Sequence, residues 1–257
     1  MRTRTAIALG LLLVATASVA FAQIPPLPEN HYKVYLSAPI PISRPLILQD
    51  QFGTFTVIEE TFDRFSTPTE KRHTDGTVSP IHDPLIHMDW WRIFSPQPER
   101  RIIGIDQFGS GEWTVKDAAY LLTPSLKNVT GPVPIPAWNH YVCYDAIAGP
   151  LVGQPVVLID QFGNAQVQVF HPRFFCNPAQ KQADGVIYPI KDPIVHLACY
   201  VVENPISSGI PITTTDQFGF WQTQIQLNNC LCVPALKEHP VRTKQSTWGK
   251  VKSLYQN

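Results

Sequence analysis

Four histidines, four aspartates, four glutamines and four lysines stand in register along this chain. The tetrapeptide Asp-Gln-Phe-Gly begins at Asp50, Asp106, Asp160 and Asp216, at intervals of 56, 54 and 56 residues. His31, His87, His140 and His196 precede the copies by 19 or 20 residues, and Tyr35, Trp91, Tyr144 and Tyr200 follow those histidines by four. Behind each aspartate, at eighteen residues, comes a proline (Pro68, Pro124, Pro178, Pro234), and three further on a lysine (Lys71, Lys127, Lys181, Lys237). Imidazole, carboxylate and amine are the groups of acid–base or metal chemistry. A constellation repeated in every unit of an array reads instead as architecture, since each local choice then serves the fold.

The asymmetric candidate is the group His73, His82, Asp83, His87 and Asp89, next to Trp90 and Trp91. Two histidines five residues apart with carboxylates nearby could hold a metal ion, so a metal-dependent extracellular hydrolase using His82, Asp83 and His87 is the second functional reading. Against it, Asp83-Pro84 recurs as Asp192-Pro193, Lys191 stands where His82 does, and no helical His-Glu-x-x-His pattern is present. The chain carries no Gly-x-Ser-x-Gly elbow, phosphate loop or dinucleotide fingerprint, and no cofactor is expected. Glu59 and Glu60 are sequence neighbours, which on a strand point to opposite faces and cannot form a facing pair.

The elements that position these residues are strands. After each repeat glycine one face carries Phe55 and Val57; Trp113 and Val115; Ala165, Val167 and Val169; Trp221, Thr223 and Ile225. Alternate positions are polar, among them Thr56, Glu112, Gln166, Gln222 and Gln224. That period of two predicts one buried face and one wet face. Before each aspartate a second apolar strand runs, and the histidine-led segments HYKVY, HMDWW, HYVCY and HLACY give a third. Asp-Gln-Phe-Gly is then a hairpin loop. Asp50, Asp106, Asp160 and Asp216 bond the loop backbone, and Gly53, Gly109, Gly163 and Gly219 supply the positive φ.

A second repetition pairs the units. DGTVSPIHDPLIH joins the first two and DGVIYPIKDPIVH the last two, whereas VTGPVPIPA links the middle pair. The expected organisation is all-β: two tandem homologous β-sandwich or β-barrel domains, residues 27–130 and 136–240, each made of two three-stranded units of about 55 residues.

Residues 1–22 have the form of a secretory signal peptide, with Arg2 and Arg4, the apolar run 6–15 and the small-x-small close Ala20-Phe21-Ala22. Cleavage after Ala22 would leave no transmembrane segment and place the chain, by this reading bacterial, in the periplasm or outside the cell. Residues 241–257 form a basic tail with Arg242, Lys244, Lys250 and Lys252. Over the whole chain 20 Lys+Arg balance 20 Asp+Glu, which removes the electrostatic footprint of a nucleic-acid binder. The 25 prolines argue against long helices.

Four of the five cysteines occupy two repeat columns. Cys143 and Cys199 follow the histidine by three residues, and Cys176 and Cys232 follow the aspartate by sixteen. The first half loses both columns together, with Val34 and Trp90 in one and Ser66 and Leu122 in the other, as paired thiols would. The favoured pairing is Cys143–Cys176 with Cys199–Cys232; the repeat symmetry also permits the crossed arrangement. Cys230 is left over, and its spacing to Cys232 is too short for the usual zinc motifs.

HYVCY, DQFGNAQVQV, RFFCNPAQK, HLACY, DQFGF and CLCVPALK resemble a family of exported bacterial proteins built from a domain of unknown function, with tandem His-x-x-Cys-Tyr, Asp-Gln-Phe-Gly and Leu-Cys-x-Pro segments. The resemblance spans about His31 to Lys237 and implies a secreted β-rich domain. It brings no catalytic residue with it. The expected function is therefore a secreted or periplasmic, non-enzymatic binding or structural module, whose partner would be an envelope protein or a glycan.

Overall fold

The structure is a computed structural model, described over residues 27, 29–129, 138–203 and 207–238. The signal segment 1–22, most of the 129–137 connector and the basic tail lie outside the described residues. Among the described residues thirteen strands run in chain order: β1 (His31–Asp50), β2 (Gly53–His73), β3 (Val78–Ser79), β4 (Ile86–Ser95), β5 (Arg100–Asp106), β6 (Gly109–Lys127) and β7 (His140–Ala148). Then come β8 (Gln154–Asp160), β9 (Gly163–Ala183), β10 (Val186–Tyr188), β11 (His196–Glu203), β12 (Ser207–Asp216) and β13 (Gly219–Glu238). Among the described residues no helix is long and apolar enough to cross a membrane.

Every pairing is antiparallel, and the sheet closes on itself. Going round, β1 pairs with β2, β2 with β4, β4 with β6, β6 with β7, β7 with β9, β9 with β11, β11 with β13, and β13 with β1. Each unit thus gives two strands to an eight-stranded ring: its histidine-led segment and the far part of its long strand. Closure leaves this ring with no free edge.

The division at residues 130–136 is not visible in this sheet. Four consecutive strands from each half join in one ring, and hairpin tips pair with the opposite unit. Ile47–Gln49 of the first unit lies against residues 180–182 of the third, while Val156–Ile159 of the third lies against residues 70–73 of the first. Units two and four exchange in the same way, residues 103–105 with 236–238 and residues 214–215 with 126–127. The physical reason is that one half supplies only four ring strands, with two unpaired edges; the other half covers both.

Two buried clusters occupy the two faces of the ring. Tyr32, Val34, Met88, Trp90, Leu122, Tyr141, Leu197 and the five cysteines form one. Their sequence neighbours Tyr35, Trp91, Leu121, Tyr144, Phe175 and Tyr200 join hairpin residues such as Leu48, Ile102, Trp113, Leu158 and Ile212 in the other. The second cluster is therefore outside, under the hairpins, and the first fills the lumen, as side chains do in a barrel of this size. The disulfides Cys143–Cys176 and Cys199–Cys232 join residues directly opposite on paired strands. In the first half Trp90 fills the corresponding space and donates its indole N–H to Ser66 Oγ at 3.2 Å. Cys230 is free and buried, which pushes its thiol up to about 12.

Candidate functional site

The repeated polar residues form a belt around one end of the barrel. Each Asp-Gln-Phe-Gly aspartate accepts the N–H of the phenylalanine two residues on, at 2.7–2.9 Å, and each repeat glycine has φ between 122° and 144°. The second carboxylate oxygen faces the opposite unit. Tyr35 donates to Asp160 at 2.8 Å, Trp91 to Asp216 at 3.1 Å, Tyr144 to Asp50 at 2.8 Å and Tyr200 to Asp106 at 2.6 Å. Each glutamine donates to the histidine of the unit before it: Gln107 to His31, Gln161 to His87 at 2.7 Å, Gln217 to His140, and Gln51 to His196 at 3.0 Å. Each lysine lies over the phenylalanine of the unit after it. Lys71 is 4.4 Å from the Phe108 ring, Lys127 4.6 Å from Phe162, Lys181 3.6 Å from Phe218 and Lys237 4.4 Å from Phe52. Such contacts are favourable where the ammonium is partly desolvated.

Every unit therefore touches the other three through the same columns, and the columns close in a circle. Burial lowers three of the belt histidines: His87 to about 4, and His31 and His140 well below the usual imidazole range. In His87 the Nδ1–H donates to the Leu85 carbonyl at 2.9 Å, so Nε2 is the acceptor for Gln161. Burial also brings Lys71 and Lys181 down to about 7 and Lys237 to about 8, opposed in part by the aspartate of the next unit.

Three places break the fourfold pattern beneath this belt. Lys33 stands 3.6 Å from Asp160, which also accepts from Thr67 Oγ1 at 2.7 Å. At the column position of Lys33, the second unit has Asp89, fully buried and bonded by Ser125 at 2.8 Å and Thr214 at 2.8 Å. Burial, then the neighbouring Asp216, pushes the Asp89 carboxyl well up, opposed by the hydrogen bonds from Ser125 and Thr214. Glu59 occupies a column held elsewhere by Val115, Val169 and Ile225. It is fully buried with neither oxygen hydrogen-bonded, and burial raises it to about 8 against the pull of Lys181 and Arg44. Glu60 is exposed on the other face.

The histidine–aspartate candidate is dispersed by the fold. His82 is exposed on the loop before β4, and its backbone N–H and that of Asp83 donate to Asn30 Oδ1 at 2.9 and 3.0 Å. Asp83 Oδ1 accepts from Leu85 N at 2.9 Å, while both nitrogens of His87 are already engaged in the belt. His73 packs edge-on to Phe108. Among the described residues no group of three or more His, Cys, Asp or Glu is placed to hold a metal ion. Asn139 repeats the Asn30 bracket in the second half, with Lys191, Asp192 and the Asp192 carbonyl. This pair went unread in the sequence, although the Asn-His dipeptide at both sites could have shown it.

The opposite end of the barrel carries a different surface. An open depression of about 480 Å³ is lined by Leu36, Ser37 and Pro39 of β1, Glu60, Thr61 and Asp63 of β2, Arg92 of β4 and Gln226 of β13. None of these positions holds the same residue in all four units. Arg92 Nε donates to Asp63 Oδ2 at 3.1 Å, Nη2 contacts the same oxygen, and the Tyr120 hydroxyl sits 3.5 Å from both partners. Below them Arg64 stacks 5.0 Å from the Tyr120 ring and donates to Asn229 Oδ1 at 3.2 Å. The ladders loosen here: β1–β2 pairing shifts between Leu36 and Ile40, and β1–β13 pairing shifts around Tyr35 and Ser37. Bulges of this kind re-aim side chains and are common next to sites. Sequence reading missed the depression because nothing in it repeats.

No curated protein and no solved structure matches the chain. A family model described as a repeat of unknown function (DUF7450) matches residues 87–234, three of the four Asp-Gln-Phe-Gly copies and both disulfides. The match covers more than half of the chain, and the chain belongs to the DUF7450 repeat family.

Proposed function

We propose that this protein is an exported, non-enzymatic binding module, with the barrel as a rigid scaffold and the open end as its contact surface. One observation carries the reading: the repeated polar residues are engaged with one another in the belt, whereas the depression at the other end is lined by polar residues that do not repeat. Export agrees with the leader-like residues 1–22 and with two disulfides, which persist in oxidising compartments. A partner in the bacterial envelope, protein or glycan, is the natural object of such a module.

The test uses the mature protein and isolated envelopes of the bacterium that makes it. Saturable retention is expected, lost in Arg92→Ala and kept in a belt variant that still folds. Absence of retention, or steady release of a soluble product from the envelopes, would contradict the proposal.

A further inference from the structure

The belt end of the lumen carries a charge that the belt itself does not balance. Two loops of matching sequence, residues 74–85 and 184–195, flank it. Asn30 brackets Asp83 in the first and Asn139 brackets Asp192 in the second. Just before those asparagines the halves differ, with Glu29 on one side and Trp138 on the other. Glu29 is 8% exposed and lies close enough to the lumen residues Tyr32 and Tyr141 for both to feel its charge. Burial, then Asp192 and Asp83, raise its carboxyl to about 7. Three carboxyl groups from three segments thus crowd one opening, and among the described residues no ion pair within 4 Å neutralises any of them. His82 and Lys191, their neighbours in sequence, are exposed and make none either.

Cationic side chains that approach these carboxylates singly would complete them. A metal ion shared among them fits less well, since among the described residues no three of His, Cys, Asp or Glu are placed to hold one. The rim asks for apolar groups too: Leu85 and Ile194, one on each loop, are 67% and 63% exposed.

The chain carries a segment of that chemistry. After Glu238 come Arg242, Lys244, Lys250 and Lys252 with no acidic side chain, and Trp248 stands between the two pairs. The loops and Glu29 have the opposite balance, four aspartates and one glutamate against Lys191. Strand β13 delivers the segment to this end, because residues 236–238 lie against 103–105, and Gln107, just beyond, accepts from Ser79 of the first loop at 3.1 Å. Fully extended, residues 239–257 reach about 60 Å, enough to cross the opening. Tethering gives them an effective concentration on the order of millimolar, which a free basic peptide would have to match.

We infer that residues 239–257 dock across the belt end of the lumen, with their arginine and lysines at Glu29, Asp83 and Asp192 and Trp248 against Leu85 and Ile194. The contact is separate from the open-end surface and gives the basic tail a place in the molecule.

The experiment uses the mature protein with a nitroxide label on Ser253→Cys; Cys230 is buried and stays unlabelled. Amide NMR is expected to show loss of intensity at Leu85 and Ile194 and at the Trp138 indole, while Arg92 and Gln226 keep theirs. The loss should vanish in Glu29→Gln, in Lys244→Glu, Lys250→Glu and Lys252→Glu together, and at about 1 M salt, where the screening length falls to about 3 Å. The tail substitutions lie beyond the last strand, so an unchanged thermal midpoint separates loss of docking from loss of fold. No preferential loss at these three residues, or loss that survives the tail charge reversal, would overturn the inference. So would equal loss in unlabelled protein mixed with labelled protein, which would place the contact between two copies.

Discussion

The two ends of this barrel obey opposite rules. At the belt end every unit has the same histidine, aspartate, glutamine, phenylalanine and lysine, and each side chain finds its partner in another unit. At the open end Leu36 stands where Arg92, Asp145 and Val201 stand in the other units, and Ser37 replaces apolar residues. Repetition has been kept where it closes a circle and lost where a surface meets solvent. Recurrence of polar residues here marks assembly, and departure from recurrence marks candidate function.

The largest effect is expected at the belt. Asp160→Ala removes the acceptor of Tyr35 and Thr67 and the counter-charge of Lys33, all buried. Breaking such a network should cost about 3–5 kcal/mol, read by urea unfolding of the mature chain. A loss below about 1 kcal/mol would mean that the belt does not hold the units together. Removing one bridge with Cys143→Ala and Cys176→Ala should cost about 3–4 kcal/mol in the chain-entropy picture. Equal stability of the doubly substituted and wild-type proteins would contradict the role given to the bridged half.

Glu59 offers a gain instead of a loss. Glu59→Val restores the apolar residue of the other three units and removes a buried carboxyl without hydrogen bonds, so stability at pH 7 should rise by about 1–3 kcal/mol. A destabilised variant would show that Glu59 has a partner the repeat logic does not require. The pH dependence has two limbs of opposite sign. The folded Glu59 value, about 8, lies above its ordinary 4.5, so the native state holds the extra proton and stability falls as pH rises through that window. Lys71, at about 7 against an ordinary 10.5, binds fewer protons when folded, so its burial penalty is full below pH 7 and relaxes as pH climbs to 10.5. Midpoints of unfolding against pH should flatten on the lower limb in Glu59→Val and on the upper limb in Lys71→Met. Unaltered slopes in both would contradict these assignments.

The smallest effect belongs to the open end. The Arg92 side chain is 52% exposed, so its ion pair with Asp63 contributes little: Arg92→Ala should cost below about 1 kcal/mol. A larger loss by thermal unfolding would make Arg92 a structural residue and blunt the contrast between the ends.

Much of this fold was legible in the chain, and the limits are physical. Alternation after each glycine gave the strands their buried face: Val57, Val115, Val167 and Ile225 are buried, and Thr56, Gln166 and Gln222 are exposed. The cysteine columns led to the bridges that are present. Ring closure was not legible, because local periodicity sets which face a strand buries and not which strand covers its edge. Four copies of one motif also cannot say which unit's tyrosine meets which aspartate; Tyr35 meets Asp160 and not Asp106 only because the hairpins cross to the opposite unit. His82 and His87 looked like a pair on five-residue spacing, and the loop bracketed by Asn30 sends them apart. The depression left no trace, since Ser37, Asp63 and Arg92 come from three strands with no shared pattern.

The central claim is that the belt builds the protein and the open end contacts its partner. Measuring thermal midpoint and envelope retention together on Gln161→Leu and Arg92→Ala tests it most directly. The account predicts a lowered midpoint with retention intact per folded molecule for Gln161→Leu, and an unchanged midpoint with retention lost for Arg92→Ala. A folded Gln161→Leu protein that no longer binds, beside an Arg92→Ala protein that binds as the wild type does, would contradict it.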